Sequence, residues 1–271
     1  MNKLLIGLTQ QEYELDKDIL DFIDFVEIKK INDNNLAELD KHNKLISFHL
    51  QRFYDANPQP SRKIYLKYWT SPKAQKIYQK YLKRTLWYSS HITSSTEKWQ
   101  SFDQGHHSVA ITKPFTKDFL LKRMITNILG LKKFLTKPFL LESMDYNSYE
   151  ASNGYYEHIC DPDFINKVIT KTGCNYLMDL SHVRTSAKNL GYELANYLQK
   201  LPLNKVVEIH LSRPLIKKKI AFDRHLPITD KELEILQKLR PKLLQLKAIK
   251  LEVFADKKTI INQLKLIKAR L

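Results

Sequence analysis

A closed (β/α)8 barrel of the TIM type, α/β in class and spanning residues 1–271 as a single domain, is the fold the sequence predicts, and three observations carry it. The chain has 271 residues, close to the roughly 250 that such a barrel takes. Eight short runs rich in β-branched and aromatic residues recur along it, and the segments between them carry apolar residues three and four apart. No G-x-G-x-x-G loop follows the first run, which removes the main support for an open doubly wound sheet.

In chain order, the first strand is KLLIGLT from Lys3, the second DFVEIKKI from Asp24 and the third KLISFHLQ from Lys44. A long connection, residues 52–72, follows the third strand. SPKAQKIYQKYLKR then reads as a helix, with Ser71 as its cap and Pro72 in its first turn. The fourth strand, TLWYSSHI from Thr85, leads into a second long connection, residues 93–115. Long segments after barrel strands belong to the face that usually holds substrate. FTKDFLLKRMITNILGLKKFL is a helix with an apolar stripe, and FLLESMD from Phe139 is the fifth strand. DPDFINKVITKTG is a helix ending at Gly173, followed by the sixth strand, NYLMDLSH from Asn175, and the seventh, VVEIHLSR from Val206. TDKELEILQKLRPKLLQL is a helix capped by Thr229 with acids in its first turn, and AIKLEVF from Ala248 closes the set. Most of these strands are continuously apolar, as parallel strands covered on both faces are.

Composition narrows the class. With 43% hydrophobic and 27% charged residues the chain can bury a core and is not disordered. No run reaches the roughly 18 apolar residues of a membrane span, and the apolar run near the start is too short for a secretory signal, so a cytoplasmic protein is expected, with no membrane partner. Cys160 and Cys174 lack C-x-x-C spacing and read as reduced, structural thiols. Lys and Arg total 45 against 29 acids, a formal charge of +16, which favours anionic partners such as an acidic peptide or nucleic acid. Lys63, Tyr65 and Lys67 in the third connection, with Lys217, Lys218 and Lys219, would place part of that charge on the catalytic side, although a solvated lysine surface explains any one of them equally well.

The ends of strands three to eight carry His49, His91, Glu142, Asp179 with His182, Glu208 with His210, and Glu252, and a D-R-H sequence in the loop after strand seven adds Asp223 and His225. Taken singly, a buried His is more often a hydrogen-bonded core residue, and a strand-end acid more often a helix cap. Together, residues from six strand ends meeting around one axis would bury several charges, at several kcal/mol each unless cations pair them, and divalent metals do so. The set divides into His49, His91 and Glu142; His182, Asp223 and His225; and a carboxylate-rich position of Glu142, Asp179, His210 and Glu252, with Glu142 free to bridge. Two imidazoles and a carboxylate suit non-haem Fe(II), and zinc or manganese accepts the same ligands. His106 and His107 in the fourth connection read as a surface pair, with a role facing the substrate as the alternative. There is no P-loop, G-x-S-x-G elbow, H-E-x-x-H or kinase signature.

TGCNYLMDLSHVRTSAKNLGYELANYLQKLPLNKVVEIHLS resembles the core segment of the multinuclear non-haem iron-dependent oxidases, with T-G-C before a strand ending in Asp, an S-A-x-N-x-G stretch and V-x-E-I-H-L. The likeness is specific through residues 136–213 and extends from residue 4 to residue 257. It implies a xylose isomerase-like TIM barrel holding two or three iron ions on His49, His91, Glu142, Asp179, His182, His210, Asp223, His225 and Glu252, with Glu208 as support and Glu142, Asp179 and His210 central to catalysis. It further implies an enzyme that uses O2 to modify cysteine residues of a ribosomally made precursor peptide, beside a partner protein that binds the leader. The chain departs from the family where His49 is followed by LQRFYDANPQPSR without glycine, where Ser89-Ser90-His91 replaces S-D-H, and where Glu142-Ser143-Met144 replaces E-N-P. More distantly, D-x-x-H and D-R-H resemble endonuclease IV, so a zinc-dependent phosphodiesterase acting on DNA is the alternative. An inactive metal-binding barrel serving as a binding subunit is the third reading.

Overall fold

The computed structural model describes residues 3–9, 17–29, 40–49, 71–102, 107–147, 154 and 156–271. Its strands are β1 (Leu5–Thr9), β2 (Phe25–Ile28), β3 (Leu45–His49), β4 (Thr85–Ile92), β5 (Trp99–Phe102), β6 (His107–Ala110), β7 (Phe139–Ser143), β8 (Asn175–Asp179), β9 (Val206–Leu211), β10 (Arg213–Lys217), β11 (Ile220–Leu226) and β12 (Ala248–Leu251). The helices are α1 (Lys17–Leu20), α2 (Pro72–Tyr81), α3 (Lys117–Lys132), α4 (Pro162–Thr172), α5 (Leu180–Asn189), α6 (Leu194–Lys200), α7 (Asp230–Leu239) and α8 (Lys257–Arg270). Eight strands form a closed parallel barrel in the order β1-β12-β9-β8-β7-β4-β3-β2, and they are the eight read from the sequence. No described helix is long and apolar enough to cross a membrane.

Alternation along each strand sets what the barrel encloses. Successive side chains point to opposite faces, so residues two apart share the interior. At the N-terminal end these are apolar: Phe25, Trp87, Leu140, Leu177 and Ala248 pack together and plug the barrel. Two and four residues further along the same strands the interior positions turn polar, with Glu27, Ser89, His91, Glu142, Asp179, Lys250 and Glu252. The outward faces, including Ile6, Leu8, Val26, Ile46, Phe48, Leu141, Met178, Ile209, Ile249 and Leu251, pack into one apolar cluster with helix residues such as Leu120, Met124, Phe164, Val168, Leu236 and Leu264. Each such side chain, fully buried, contributes about 1.5–3 kcal/mol.

The plug leaves no room at Gly7. A Cβ there would lie 2.1 Å from the Phe25 ring, and that ring packs edge-on against Trp87 with centroids 6.2 Å apart. Gly7→Ala is therefore expected to destabilise the fold by about 1–3 kcal/mol through overpacking, read as a lower urea midpoint with an unchanged slope.

Helix ends follow local chemistry. Asp161 caps α4 by accepting from the backbone N–H of Asp163 at 2.8 Å, Pro162 takes the first position, and Gly173 ends the helix at φ 61°. The helix expected from Thr229 onward is shorter than the pattern suggests, because Pro241 lacks an N–H and clashes with the preceding turn. α7 stops at Leu239, and a single 3-10 turn follows. Two segments read as loops are instead antiparallel hairpins, β5 with β6 inside residues 93–115, and β10 with β11 after the seventh barrel strand. Lys218 and Lys219 form the tip of the second hairpin, directly after Lys217 at the end of β10, with Lys218 at φ 55°. Lys63, Tyr65, Lys67 and His106 lie outside the described residues. Cys160 and Cys174 are free, buried thiols, and burial pushes both pKa values up.

Candidate metal centre

At the C-terminal mouth of the barrel the nine residues singled out in the sequence form one connected cluster. Glu142 on β7 is its hub. Its Oε2 lies 3.2 Å from His91 Nε2 and 3.5 Å from His49 Nε2. Its Oε1 lies 3.4 Å from His182 Nδ1 and 3.5 Å from His210 Nδ1. Register explains half of this arrangement, since His91 pairs directly with Glu142 and Asp179 with His210. The carboxylate thus presents one oxygen to the imidazoles of β3 and β4 and the other to those beyond it.

Asp179 and His182 fall in one helical turn rather than at a common strand end. β8 finishes at Asp179 and α5 begins at Leu180, so His182 is a helical residue. The reason is the cap: Asp179 Oδ1 accepts from the His182 backbone N–H at 2.8 Å. That leaves Asp179 Oδ2 directed at the cluster, 3.9 Å from His210 Nδ1. His182 Nδ1 is 2.9 Å from the Ser143 carbonyl, and donating to it frees Nε2, which faces Asp223 Oδ2 at 3.5 Å. Likewise His49 Nδ1 sits 2.8 Å from Ser89 Oγ, and donation there frees Nε2.

Asp223 and His225, expected in a loop, stand on β11. Being two apart on a strand, they share a face. Asp223 Oδ2 is 3.0 Å from His225 Nε2, and Ser181 Oγ donates to Asp223 Oδ1 at 2.6 Å. His225 takes φ 44°, uncommon for a residue with a Cβ. Its carbonyl accepts from Phe254 N–H at 2.9 Å, which ties the hairpin to the segment after β12. Glu252, just past β12, brings Oε2 within 2.8 Å of His210 Nδ1.

Several participants escaped the sequence reading. Glu27 on β2 is fully buried, with Oε2 3.3 Å from His210 Nε2. Glu208, which the sequence reading did name as support, lies below, its Oε2 accepting from Trp87 Nε1 at 2.6 Å. Lys250 is also fully buried, 2.5 Å from Glu27 Oε1 and 3.0 Å from Glu252 Oε2, and Lys29 reaches Glu252 Oε1 at 2.5 Å. Asp145, three residues beyond Glu142, is raised to about 6 by burial, with Asp223 adding to the effect and His182 opposing it. A signal for Glu27 and Lys250 was present, since each is the charged residue on the interior parity of an otherwise apolar strand. Glu27 stands on a strand before the first of the histidines, and Lys250 lies before the end of its strand.

The electrostatics are those of an acid-rich pocket. Burial works to raise Glu142, and the adjoining His91 and His210 more than reverse it, holding the carboxyl well below its usual range. Burial resists protonation of His182 and His210, yet Asp179, Asp223 and Glu142 around the first, and Glu142, Glu252 and Glu27 around the second, lift both well above the histidine norm. His225 rises to about 9, mainly through Asp223, against burial. His49 goes the other way, to about 3, because burial outweighs Glu27 and Glu142. Asp179 is raised, by burial first.

Whether metal ions fit is answered by polar atoms that lack partners. Glu142 Oε2, Asp179 Oδ2, both ring nitrogens of His210 and Nδ1 of His225 are buried without an aligned hydrogen bond. Leaving one such group unsatisfied is costly, and leaving several facing one another is costlier. Donor atoms of His49, His91 and Glu142, of Glu142, Asp179 and His182, and of Asp179, His210 and Glu252 each fall within 4.8 Å of one another. Imidazole nitrogens and carboxylate oxygens converging at that spacing are able to hold divalent metals.

The chain is similar to known proteins in sequence and in fold. A family model described as RiPP precursor modification enzyme MbnB/TglH/ChrH matches residues 71–259. A UPF0276 protein of Psychromonas ingrahamii is 26% identical over 212 residues, covering 76% of this chain and 69% of its own. A UPF0276 protein of Bordetella pertussis is 38% identical over 96 residues, 35% of this chain, and only 32% of that relative is matched. Among solved structures, the apo form of the 3-keto-D-glucoside 4-epimerase YcjR from E. coli superposes with a TM-score of 0.62 at 13% identity, covering 98% of this chain and 100% of that one. A xylose isomerase domain protein from Alicyclobacillus acidocaldarius gives 0.60 at 14%, covering 99% and 96%. At such identities the likeness shows the fold alone, a xylose isomerase-like TIM barrel.

Proposed function

Since the chain belongs to the MbnB/TglH/ChrH family of RiPP precursor modification enzymes, we propose that it is an iron-dependent oxidase, which uses O2 to modify cysteine residues of a ribosomally synthesised precursor peptide in the cytoplasm. The observation that carries the reading is Glu142, a buried carboxylate set among His49, His91, His182 and His210 with its two oxygens serving different pairs. A carboxylate so placed would be able to serve more than one metal ion.

In this reading His49, His91 and Glu142 would hold one ion, Asp223 with the His182 and His225 imidazoles that face its Oδ2 a second, and Asp179, His210 and Glu252 a third. Bound iron supplies Lewis acidity toward a thiolate and one-electron chemistry with O2. The chain's own residues do the rest. Ser89 and the Ser143 carbonyl orient the imidazoles of His49 and His182. Asp179 caps α5 and faces the cluster, which ties the start of that helix to the site. The apolar plug of Phe25, Trp87, Leu140 and Leu177 closes the barrel below and leaves the mouth as the way in. The chain's +16 charge favours an acidic leader peptide or a partner protein that presents it.

Metal analysis of protein purified without oxygen tests this. Two or more iron ions per chain are expected, with O2 consumed when a cysteine-containing precursor peptide and its partner are added. Protein that holds zinc instead and cleaves a duplex containing an abasic site would overturn the oxidase reading in favour of a phosphodiesterase.

A further inference from the structure

The hairpin β10–β11 carries two of the nine donors, Asp223 and His225, yet it forms a two-stranded sheet of its own outside the barrel. Strand pairing with the barrel therefore does not fix where these donors stand relative to His182. Side chains do part of that work. Toward the tip, Asn189 at the end of α5 donates to the Ala221 carbonyl at 2.8 Å and accepts from the Ala221 N–H at 2.8 Å. Toward the base, Arg213 Nε donates to the Pro227 carbonyl at 3.0 Å, and Ser181 Oγ holds Asp223.

None of these ties aims His225. It is the one residue of β10 and β11 with a positive φ, 44°, and in that conformation the pleat of the strand no longer sets the direction of a side chain. Its Nδ1 is buried without an aligned hydrogen bond.

Phe254 reaches it from the barrel wall. The residue lies two past Glu252, with Val253 buried between them, and the Glu252 N–H still donates to the Leu211 carbonyl of β9 at 3.1 Å. From that anchored segment the Phe254 N–H donates to the His225 carbonyl at 2.9 Å. The phenyl ring meets the imidazole edge-on, with centroids 4.7 Å apart and planes at 78°. Phe254 is nevertheless 55% exposed, so burial in the apolar core does not account for an aromatic residue at this position. Its contact with His225 does.

We infer that Phe254 is a positioning residue, whose ring holds the His225 imidazole beside Asp223 and so completes the His182, Asp223 and His225 set before an ion is bound. This rests on the metal-centre reading of the previous section. The other two sets contain no hairpin residue, and Glu252, their member nearest to Phe254 in the chain, is held independently by Lys29 and Lys250 at 2.5 and 3.0 Å. Without the ring, His225 would have to be ordered at the moment of binding, and that ordering lowers affinity at its own set alone.

Fe(II) binding without oxygen tests this and needs no substrate. Iron per chain is measured over a series of free-iron concentrations, and the filled sets are located by anomalous scattering from crystals. Wild-type protein is compared with Phe254→Ala, which keeps the backbone N–H, and Phe254→Tyr, which keeps the ring. Phe254→Ala is expected to bind the ion at His182, Asp223 and His225 about 10-fold more weakly, with the other sets filled as in the wild type and Phe254→Tyr restoring the loss. Unchanged affinity at that set in Phe254→Ala, a loss spread evenly over every set, or a folded Phe254→Tyr that stays weak overturns the inference and leaves the metal centre standing. So does a wild type that holds iron on the other sets and none on Asp223. A wild type with no iron at any set refutes the metal-centre reading and this inference together. If Phe254→Ala does not fold, Phe254→Leu, which keeps the apolar bulk but not the flat ring, takes its place with the same expectations.

Discussion

Glu142→Gln is expected to keep the barrel folded and to empty its metal centre. The substitution preserves volume in a fully packed layer, so the fold has no reason to fail. It removes the one carboxylate that faces four imidazoles, with its Oε2 toward His49 and His91 and its Oε1 toward His182 and His210. Loss of even an outer partner of a metal ligand costs roughly 10–100-fold in affinity, and a ligand placed to serve two ions should cost more than about 100-fold. Metal content per chain, measured beside the circular dichroism spectrum, checks it. Retained wild-type metal content would remove Glu142 from the centre. A variant that loses its metal yet keeps its biological effect would instead favour the barrel as an inactive binding subunit.

Arg184→Met is expected to be the costlier change for stability, although Arg184 makes no contact with the cluster. Arg184 on α5 donates to Glu232 Oε1 on α7, and both side chains are buried. The other Glu232 oxygen accepts from the Thr229 N–H at 2.7 Å and from its hydroxyl at 2.6 Å. One carboxylate therefore caps α7 and anchors α5, the helix that carries His182. Removing the arginine leaves that charge buried and uncompensated, which costs roughly 3–5 kcal/mol, a fall in Tm on the order of 10 °C for a chain of this size. Arg184→Met/Glu232→Leu should recover most of the loss but remain about 1 kcal/mol short, because the cap at Thr229 is gone. Equal melting of the single variant and the wild type would show that the pair contributes nothing net. The pH dependence has a definite sign. Burial tends to raise the Glu232 pKa, but the Thr229 hydrogen bonds and Arg184 hold it below its ordinary value. Its contribution is therefore present in full above the unfolded-state pKa, about 4.3, and is lost as pH falls through the lower folded value.

How far the sequence could be read depended on which physical rule wrote each feature. The eight barrel strands were legible because a parallel strand buried on both faces must be apolar along its length, and the strands of the closed barrel are the same eight runs. The helix from Thr229 was legible at its start, where Thr229 and Glu232 cap it, and overread at its end, where Pro241 stops the pattern early. The D-x-x-H of Asp179 and His182 was visible as a spacing, but not as a helix cap with a free second oxygen. The D-R-H of Asp223 and His225 was misplaced in a loop because the charged strand β11 lacks the apolar run that marks the barrel strands.

The sequence by itself determined the eight barrel strands, the alternation that puts polar residues at one end of the interior, and the set His49, His91, Glu142, Asp179, His182, His210, Asp223, His225 and Glu252 that meets there. Those follow from periods of two and 3.6, which are local. Only the tertiary structure decided which donors face one another and where the compensating charge lies. Glu27 and Lys250 are 223 positions apart and stand on strands separated by β1, yet their side chains meet at 2.5 Å. Barrel closure joins the first strands to the last, and Thr9 of the strand between them adds a hydroxyl to the same contact rather than a barrier. No local pattern encodes that meeting, because the free energy that makes it, two buried charges compensating each other, exists only once the ring of strands has closed.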